Sequence, residues 1–203
     1  MYINILSQMP KPFNLQDKYF KKAKKLGYRA RSVFKLDEIQ KKFNVLELGM
    51  NVLDIGASPG SWLQYTRAII GAQAKLIGVD REKIEPLDKD TIIIQVDILD
   101  EEIEKLIKDN QIDKFDVILS DAAPNTSGVR DIDHFASMAL CQRVIKLTDI
   151  FLATRGSVVL KVFQGSDFAK FIVFLKKKFK QVNIFKPQAT RGRSFELYII
   201  AKK

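Results

Sequence analysis

Short runs of apolar residues recur along the chain and are separated by amphipathic stretches. Runs of this length that are rich in Val, Ile and Leu are typical of buried strands. They predict strands over residues 52–55, 75–80, 91–97, 115–121, 157–163, 182–185 and 194–202.

Between these runs, apolar residues recur at three- and four-residue steps, the spacing of a helix that packs one face against a core. The spacing predicts helices over residues 29–43, 62–70, 101–108, 134–153 and 168–179, with Gly156 as the stop after the fourth. Because strands and helices alternate from residue 51 to 186, we expect an α/β fold with a mostly parallel sheet. The last strand follows a short connection without a helix, so we expect it to be antiparallel and at or near an edge.

The turn after the first strand has the composition of a nucleotide-binding turn. In NVLDIGASPGSW, residues 51–62, an apolar strand leads into Gly56, Pro59 and Gly60, and a helix begins near Ser61. Glycine lets the backbone approach a ligand closely, and a helix N-terminus has free N–H donors. The turn has neither the phosphate-loop pattern G-x-x-x-x-G-K-[ST] nor the dinucleotide pattern G-x-G-x-x-G. A nucleoside without a pyrophosphate fits better, and S-adenosylmethionine is the common one; an ordinary strand-to-helix turn is the alternative.

Three predicted strands end in aspartates, namely Asp80, Asp97 and Asp121. In an open parallel sheet, ligands bind beyond the carboxyl ends of the strands, so these three carboxylates are expected to converge on one site. Asp80 follows Gly56 by 24 residues, which suits a carboxylate that holds both hydroxyls of a ribose. Each aspartate alone is also compatible with a helix cap or a turn.

The net charge of +10 is concentrated at the two ends of the chain. Residues 1–42 carry 11 Lys/Arg against 3 Asp/Glu, residues 43–160 carry 12 against 19, and residues 161–203 carry 11 against 2. If the basic ends meet on one face, they form a surface suited to a phosphate backbone, which favours a nucleic-acid partner over solvated helix faces. Residues 14–26 are basic with few apolar positions, and we expect either an arm or a helix that lies on RNA.

Composition excludes several classes of site. Cys141 is the single cysteine, which excludes an internal disulfide and a cysteine-based zinc site and favours a reducing compartment. His134 is the single histidine and lacks a partner for a catalytic triad or a metal site, so we expect a structural or surface role and no bound metal.

The 203 residues are enough for one domain with an ample core. We expect a basic N-terminal arm and helix over residues 1–42 and a catalytic body over residues 43–203, acting as a monomer. No apolar run approaches the roughly 20 residues that span a membrane, and the N-terminus lacks the pattern of a secretory signal. We therefore expect no membrane association.

Two charged residues lie within apolar strand sequences. Lys161 is in SVVLKVF and Glu196 is in SFELYIIAK. A charge inside a buried strand costs free energy unless it is paired or used. The two side chains could simply pair with each other, or they could serve a reaction.

Seven segments, in the same order along the chain, resemble the FtsJ/RrmJ family of ribosomal RNA 2′-O-methyltransferases. They are YRARSVFKLDEI (28–39), VLDIGASPGSW (52–62), GVD (78–80), QVDI (95–98), ILSDAAPNTSG (118–128), VLKVFQG (159–165) and RSFELYIIA (193–201). The resemblance implies a Rossmann-like methyltransferase fold with a mostly parallel seven-stranded sheet, an antiparallel last strand and helices on both faces. It also implies S-adenosylmethionine as the cofactor and RNA, most of all large-subunit ribosomal RNA or the ribosomal subunit, as the partner.

The resemblance assigns site residues position by position. A Lys–Asp–Lys–Glu tetrad around the ribose 2′-hydroxyl falls on Lys35, Asp121, Lys161 and Glu196, which gives both buried charges a role. Cofactor contacts fall on Gly60, Trp62, Asp80, Asp97 and Asp121, beside Gly56 from the turn itself. Ser61 stands where the family often has glycine, and Gly60 remains next to it.

The chemistry implied is an in-line displacement in which a ribose oxygen takes the methyl group and the sulfur leaves. Alignment of oxygen, carbon and sulfur can supply about 7–11 kcal/mol of the barrier. Lys161 is the candidate base for the hydroxyl proton, with Asp121 holding its amine and with Lys35 and Glu196 orienting the ribose. Because every RNA nucleotide has a ribose hydroxyl, selection of the target is expected to fall to the basic ends, with candidates at Arg29, Arg31, Lys21–Lys25, Arg191 and Arg193.

Other functions remain open at this point. The same chemistry acts on the tRNA anticodon loop in related enzymes and on the mRNA cap ribose, and a non-catalytic RNA-binding module is a further alternative. A hydride-transferring dinucleotide enzyme is disfavoured by the missing G-x-G-x-x-G. We expect the cytoplasm as the compartment if the source is bacterial, and consider a mitochondrion or other organelle if it is eukaryotic.

Overall fold

The computed structural model of the protein describes residues 15–192 and 194–203, and the side chains from residue 18 onward. Residues 1–14, which contain the start of the predicted basic arm, and the predicted RNA contact Arg193 lie outside the described residues.

Strands and helices alternate through the described residues as the hydrophobic pattern predicts. The strands are β1 (Val52–Ile55), β2 (Leu76–Asp80), β3 (Thr91–Gln95), β4 (Phe115–Ser120), β5 (Leu152–Phe163), β6 (Gln181–Phe185) and β7 (Glu196–Lys202). The helices are α1 (Leu15–Lys25), α2 (Val33–Phe43), α3 (Ser61–Ile70), α4 (Ile103–Lys108), α5 (Arg130–Phe151) and α6 (Phe168–Lys178). The basic stretch after residue 14 is therefore a helix.

The strands form one seven-stranded sheet in the order β3-β2-β1-β4-β5-β7-β6. The pairs from β3 to β5 are parallel, whereas β7 runs antiparallel to both β5 and β6. The prediction of an antiparallel last strand near an edge is confirmed: β7 lies next to the edge strand β6. The interior position of β7 fits its run of buried residues from Tyr198 to Ala201.

Helices cover both faces of the sheet, as expected. On one face α4, α5 and α6 pack on a core that includes Ile55, Ile118 and Leu160. On the other face α2 and α3 pack on a core that includes Val52, Leu119 and Val159. Since side chains alternate along a strand, each strand contributes to both cores. Helix α1 lies against α2 through a small cluster that includes Ala23 and Phe34.

The junction between α5 and β5 differs from the predicted one. Helix α5 begins at Arg130, before His134, and ends at Phe151, where Leu152 turns to an extended conformation. Strand β5 starts at Leu152, so Gly156 lies inside the strand and is not the predicted helix stop. The physical reason is pairing: Leu152 pairs with Phe115 of β4, and a register irregularity follows between Phe115 and Val117.

His134 has a structural role. Its ring is fully buried, Nδ1–H donates to the carbonyl oxygen of Phe163 at 2.8 Å, and Nε2 accepts from the N–H of Asp167 at 3.2 Å. These bonds fix the loop between β5 and α6. Within the described ranges, no group of three or more His, Cys, Asp or Glu side chains is arranged to hold a metal ion. No helix in the same ranges is long and apolar enough to cross a membrane.

Candidate active site

The turn between β1 and α3 lies directly against the loop that follows β4. Gly56 has a φ of +76°, and a Cβ at this position would lie 2.6 Å from the backbone N and Cα of Ala122. The N–H groups of Gly56 and Ala57 both donate to the carbonyl of Val79, which fixes the turn to β2. Glycine is therefore required at residue 56 by both conformation and close approach.

A cavity of about 500 Å³ opens at the carboxyl ends of β1, β2, β3 and β4. Its walls are the Gly56–Ser58 turn, the residues after β2 and β3, the loop after β4 and one face of α5. The predicted cofactor residues on its wall are Gly56, Asp80, Asp97 and Asp121. The three strand-end aspartates thus converge as expected.

Backbone donors hold two of these carboxylates. The oxygens of Asp80 accept the N–H groups of Ser58 and Glu82, both at 2.9 Å, and one oxygen of Asp97 accepts the N–H of Leu99 at 2.9 Å. Each carboxylate oxygen retains a further lone pair for a ligand hydroxyl or amine. Asp97 therefore stabilises its turn and lines the cavity at the same time.

Gly60, at the end of the turn, and Trp62, in the first turn of α3, are not among the residues that line this cavity. Trp62 is buried, its indole N–H donates to the carbonyl of Ser32 at 2.9 Å, and its ring centroid lies 6.0 Å from that of Tyr198. A Cβ on Gly60, which has a φ of +103°, would meet the guanidinium of Arg29 at 2.5 Å. Cofactor contact by Gly60 and Trp62 stays a prediction.

The four side chains of the predicted tetrad meet at the end of the cavity as two ion pairs. Lys161 Nζ lies 3.0 Å from Asp121 Oδ1 and donates to the carbonyl oxygen of Asp121 at 2.5 Å. Lys35 Nζ lies 2.6 Å from Glu196 Oε1. The alternative in which Lys161 pairs with Glu196 is not what the structure shows, because Lys161 has Asp121 as its partner.

Asp121 is held as a carboxylate. Burial alone would raise its pKa, but the ammonium groups of Lys161 and Lys35, together with hydrogen bonds from Tyr198 and Lys161, outweigh burial and lower the pKa. Tyr198 Oη donates to Asp121 Oδ1 at 2.6 Å. Burial and the neighbouring carboxylates of Asp121 and Glu196 raise the pKa of Tyr198, so it remains a phenol and a donor.

A second acidic group lies under the site. Asp54, in the middle of β1, is fully buried, and neither carboxyl oxygen has a hydrogen-bond partner among the described residues. Burial, followed by the charges of Asp121 and Asp80, raises the pKa of Asp54 well above its usual value. Burial therefore favours the protonated form of the Asp54 carboxyl group.

The residues present fit a nucleoside cofactor. Close approach at Gly56 brings the turn and the loop after β4 together, and fixed carboxylates line a cavity of the size that small molecules occupy. Asp121 belongs to both the cavity wall and the tetrad, so the cavity wall lies next to the Lys161 amine.

Comparison with known protein families decides the class of this site. A sequence model described as FtsJ-like methyltransferase matches residues 28–203. The chain belongs to this family. It is therefore a methyltransferase.

Curated relatives of this methyltransferase are similar over most of their length. It is 42% identical over 186 residues to the ribosomal RNA large subunit methyltransferase E of Desulfatibacillum aliphaticivorans, covering 91% of this chain and 89% of the relative. The protein of the same name from Bdellovibrio bacteriovorus is 40% identical, with 93% and 96% covered. A crystal structure described as a candidate ribosomal RNA methyltransferase from Plasmodium falciparum superposes with a TM-score of 0.76 at 29% identity, covering 87% of this chain and 98% of that one.

Sequence reasoning missed two residues of the candidate site, Tyr198, which donates to Asp121, and Asp54, which is buried beneath it. Tyr198 is two residues from Glu196 on β7 and opposite Lys161 in the register. Strand periodicity was a usable signal, since residues two apart share a face of the sheet. Asp54 had a weaker signal, a carboxylate inside the apolar run of β1.

The predicted RNA contacts lie at different places in the structure. The side chains of Lys22, Lys24 and Lys25 are exposed on α1. Arg31 Nη2 donates to the carbonyl of Ala189 at 2.5 Å, and Arg191 is exposed on the loop before β7. Burial, followed by the charge of Arg191, lowers the pKa of Arg31, although the charges of Glu196 and Tyr19 oppose the shift.

A groove of about 410 Å³ lies between α1, α2 and the end of β6. Lys22 Nζ lies 4.7 Å from the centre of the Phe34 ring, and Lys42 Nζ lies 4.6 Å from the centre of the Phe185 ring. The two acids of the groove are already engaged. Asp37 accepts from Tyr65 and Lys41, and Glu38 accepts from the N–H groups of residues 188 and 189. The groove therefore presents lysines beside aromatic faces.

Proposed function

We propose that the protein transfers a methyl group from S-adenosylmethionine to the 2′-oxygen of a ribose in large-subunit ribosomal RNA. The observation that carries the proposal is the double position of Asp121, on the wall of the nucleoside-sized cavity and in an ion pair with Lys161. A donor in the cavity and an acceptor at the tetrad are then adjacent. The names of the curated relatives support ribosomal RNA as the acceptor.

The cofactor, when bound, supplies a methyl group on a positively charged sulfur, which is already an electrophile. The protein therefore has to align the acceptor and remove its proton. Asp80 and Asp97 are the residues that would hold the nucleoside and methionine parts, since both are fixed by backbone N–H groups and face the cavity.

Lys161 is the proposed base. Its amine is held by the carboxylate and the carbonyl of Asp121, and its side chain is only 8% exposed. The amine has to be neutral to act, after which it takes the proton of the 2′-hydroxyl while the oxygen forms its bond to the methyl carbon and the carbon–sulfur bond breaks. The buried carboxylate of Asp121 then stabilises the ammonium that forms.

Lys35 and Glu196 are proposed to orient the acceptor ribose. Their ion pair of 2.6 Å is nearly buried, with side-chain exposures of 12% and 13%. The carboxylate can accept from a ribose hydroxyl, and the ammonium can donate to one. Because α2 carries Lys35 and also forms one wall of the basic groove, RNA that places a ribose at the tetrad can continue along that groove.

The groove supports an RNA substrate over a small molecule. The lysines Lys22, Lys41 and Lys42 on the groove wall suit a strand with negatively charged phosphates. The exposed lysines of α1 extend the same surface.

The test is methyl transfer from labelled S-adenosylmethionine to large ribosomal subunits, free ribosomal RNA and tRNA, measured side by side. We expect label on a ribose 2′-oxygen of the ribosomal substrate, identified by its resistance to alkaline cleavage. Label on tRNA alone would keep the chemistry and overturn the substrate. Label on a base, or no transfer to any of the three, would overturn the proposed reaction.

A further inference from the structure

Arg29 contacts the cofactor turn, although its charge and position predicted an RNA contact. Nη1 donates to the carbonyl of Glu85 at 2.6 Å and to that of Pro59 at 3.3 Å, and Nη2 donates to the carbonyl of Pro86 at 2.8 Å. Pro59 belongs to the turn after β1, whereas Glu85 and Pro86 belong to the loop after β2. One guanidinium therefore joins the two backbone segments.

The guanidinium lies directly against the glycine of the turn. A Cβ on Gly60 would come within 2.5 Å of Arg29 Nη1. The missing side chain at residue 60 is thus the space that the guanidinium occupies. This gives Gly60 a role in seating Arg29, apart from any contact with a ligand.

Further hydrogen bonds attach the segment between α1 and α2 to the first turn of α3. The N–H of Arg29 donates to Gln64 Oε1 at 2.9 Å, and Gln64 Nε2 donates back to the carbonyl of Gly27 at 3.0 Å. The hydroxyls of Ser32 and Ser61 lie 3.0 Å apart. These bonds hold the backbone of Arg29 independently of the contacts that its side chain makes with the two loops.

The shape of the turn and the position of a cavity carboxylate depend on each other. The N–H of Ser58, next to Pro59, donates to Asp80, and Asp80 also accepts from the N–H of Glu82 at the start of the loop that Arg29 holds. Three carbonyl oxygens that point at one place repel each other unless a cation lies between them. The guanidinium thus adds to the backbone hydrogen bonds that keep the turn, the loop and Asp80 in one arrangement.

We propose that Arg29 is a positioning residue for the cofactor: it holds the Ser58–Gly60 turn and the 82–86 loop in the arrangement that binds S-adenosylmethionine. The arginine fork is needed because a lysine ammonium cannot reach carbonyls of both segments with a planar set of donors. The inference rests on the proposed use of S-adenosylmethionine.

The test is calorimetric titration of S-adenosylmethionine into the protein without RNA. We expect Arg29→Ala to raise Kd about tenfold or more, since several charge-assisted hydrogen bonds are removed, and Arg29→Lys to raise it by a smaller factor. Arg31→Ala is the matched control, because Arg31 is on the same connecting segment but donates to Ala189. We expect its Kd for the cofactor to stay within about twofold of the wild-type value.

Steady-state kinetics distinguish a role of Arg29 in positioning the cofactor site from a general loss of structure. In Arg29→Ala we expect KM for S-adenosylmethionine to rise while kcat at saturating cofactor is retained. If the wild type binds S-adenosylmethionine and Arg29→Ala binds it with the same Kd, the inference about Arg29 is wrong, while the proposed function stands. The inference is also wrong if Arg31→Ala loses as much cofactor affinity as Arg29→Ala. Absence of binding by the wild type would instead overturn the proposed function. If Arg29→Ala fails to fold, the Arg29→Lys titration decides, and a Kd equal to that of the wild type contradicts the proposal.

Discussion

Each lysine of the tetrad has its own carboxylate partner, Asp121 for Lys161 and Glu196 for Lys35. Removal of one charged side chain from a buried ion pair leaves the other charge without a partner, which strongly destabilises the folded protein. Tyr198 adds a hydrogen bond to Asp121, and its hydroxyl lies within the same group of charges. At the scale of single residues, the site therefore contains one ion pair whose carboxylate, Asp121, lies on the cavity wall and a second ion pair that joins α2 to β7.

Replacing Lys161 by alanine should lower the rate of methyl transfer by at least about a hundredfold, because the proposed base is removed. Binding of S-adenosylmethionine should be largely retained, since Lys161 does not line the cavity. Steady-state kinetics and calorimetry measure the two properties. Lys170→Ala, at an exposed lysine on α6, is the control and should keep full activity. An active Lys161→Ala protein would remove Lys161 from the mechanism.

Asp54 should make the free energy of unfolding depend on pH, and the substitution Asp54→Asn should remove this dependence. The raised pKa of Asp54 means that the folded protein keeps a proton that the unfolded chain releases above about pH 4. Unfolding then releases a proton, so the contribution of Asp54 to stability falls as the pH rises, by about 1.4 kcal/mol per pH unit until the folded-state pKa is reached.

Urea unfolding of the wild type and of Asp54→Asn at pH 5 and pH 8 tests this prediction. We expect the free energy of unfolding of the wild type to decrease, relative to that of the variant, from the lower to the higher pH. A difference between the two proteins that stays constant with pH would show that Asp54 is ionised in the folded state.

At the scale of elements, the β1 turn and the loop after β4 are adjacent because residue 56 has no side chain. Gly56→Ala should lower the free energy of unfolding by about 1–3 kcal/mol, since a Cβ would clash with the backbone of Ala122 and strain a positive φ. It should also weaken cofactor binding, because the clash moves the cavity wall next to Asp121.

Gly192→Ala is the matched control for Gly56→Ala. Among the described residues, no atom lies within 4 Å of a Cβ built at residue 192, so stability and cofactor affinity should change little. Thermal unfolding and calorimetry on both variants provide the comparison. If both variants change stability and cofactor affinity equally, the close approach at Gly56 does not contribute to either property.

The strands, their mostly parallel order and the convergence of three aspartates were predictable from the sequence. The spacing of apolar residues indicates the strands and helices, and their alternation indicates a parallel sheet. The position of each aspartate at the end of a strand places all three at one edge. The end of α5 was not, since Gly156 looks like a helix stop in sequence while the pairing of Leu152 with Phe115 decides the boundary. The role of Arg29 was not predictable either. Its partners are carbonyls 30 to 57 residues away, and backbone carbonyls leave no mark on sequence.

At the scale of the whole molecule, the basic helix α1 lies on the face that carries α2, while α6 lies on the opposite face of the sheet. Reversing the charges of Lys21, Lys22, Lys24 and Lys25 should weaken RNA binding. The slope of log affinity against log salt should become shallower by about 0.7–0.9 for each phosphate that the variant no longer neutralises. Filter binding at several salt concentrations measures both effects.

Reversal of the same number of lysines on and near α6 is the control. Lys170, Lys176, Lys177 and Lys180 are exposed on the face away from the groove, and their reversal should leave the salt slope nearly unchanged. If both sets of reversals weaken binding equally, net charge alone controls RNA affinity, and the prediction for α1 is wrong.

The placement of β7 between β5 and β6 has a consequence for synthesis of the protein. Both neighbours leave the ribosome before β7 does, so β6 cannot join the sheet until residues 196–202 have been translated. A nascent chain that stops earlier lacks Glu196 and Tyr198 and leaves the edge of β5 with open N–H and C=O groups, a state that favours aggregation. We therefore expect premature termination there to yield an inactive product that tends to aggregate.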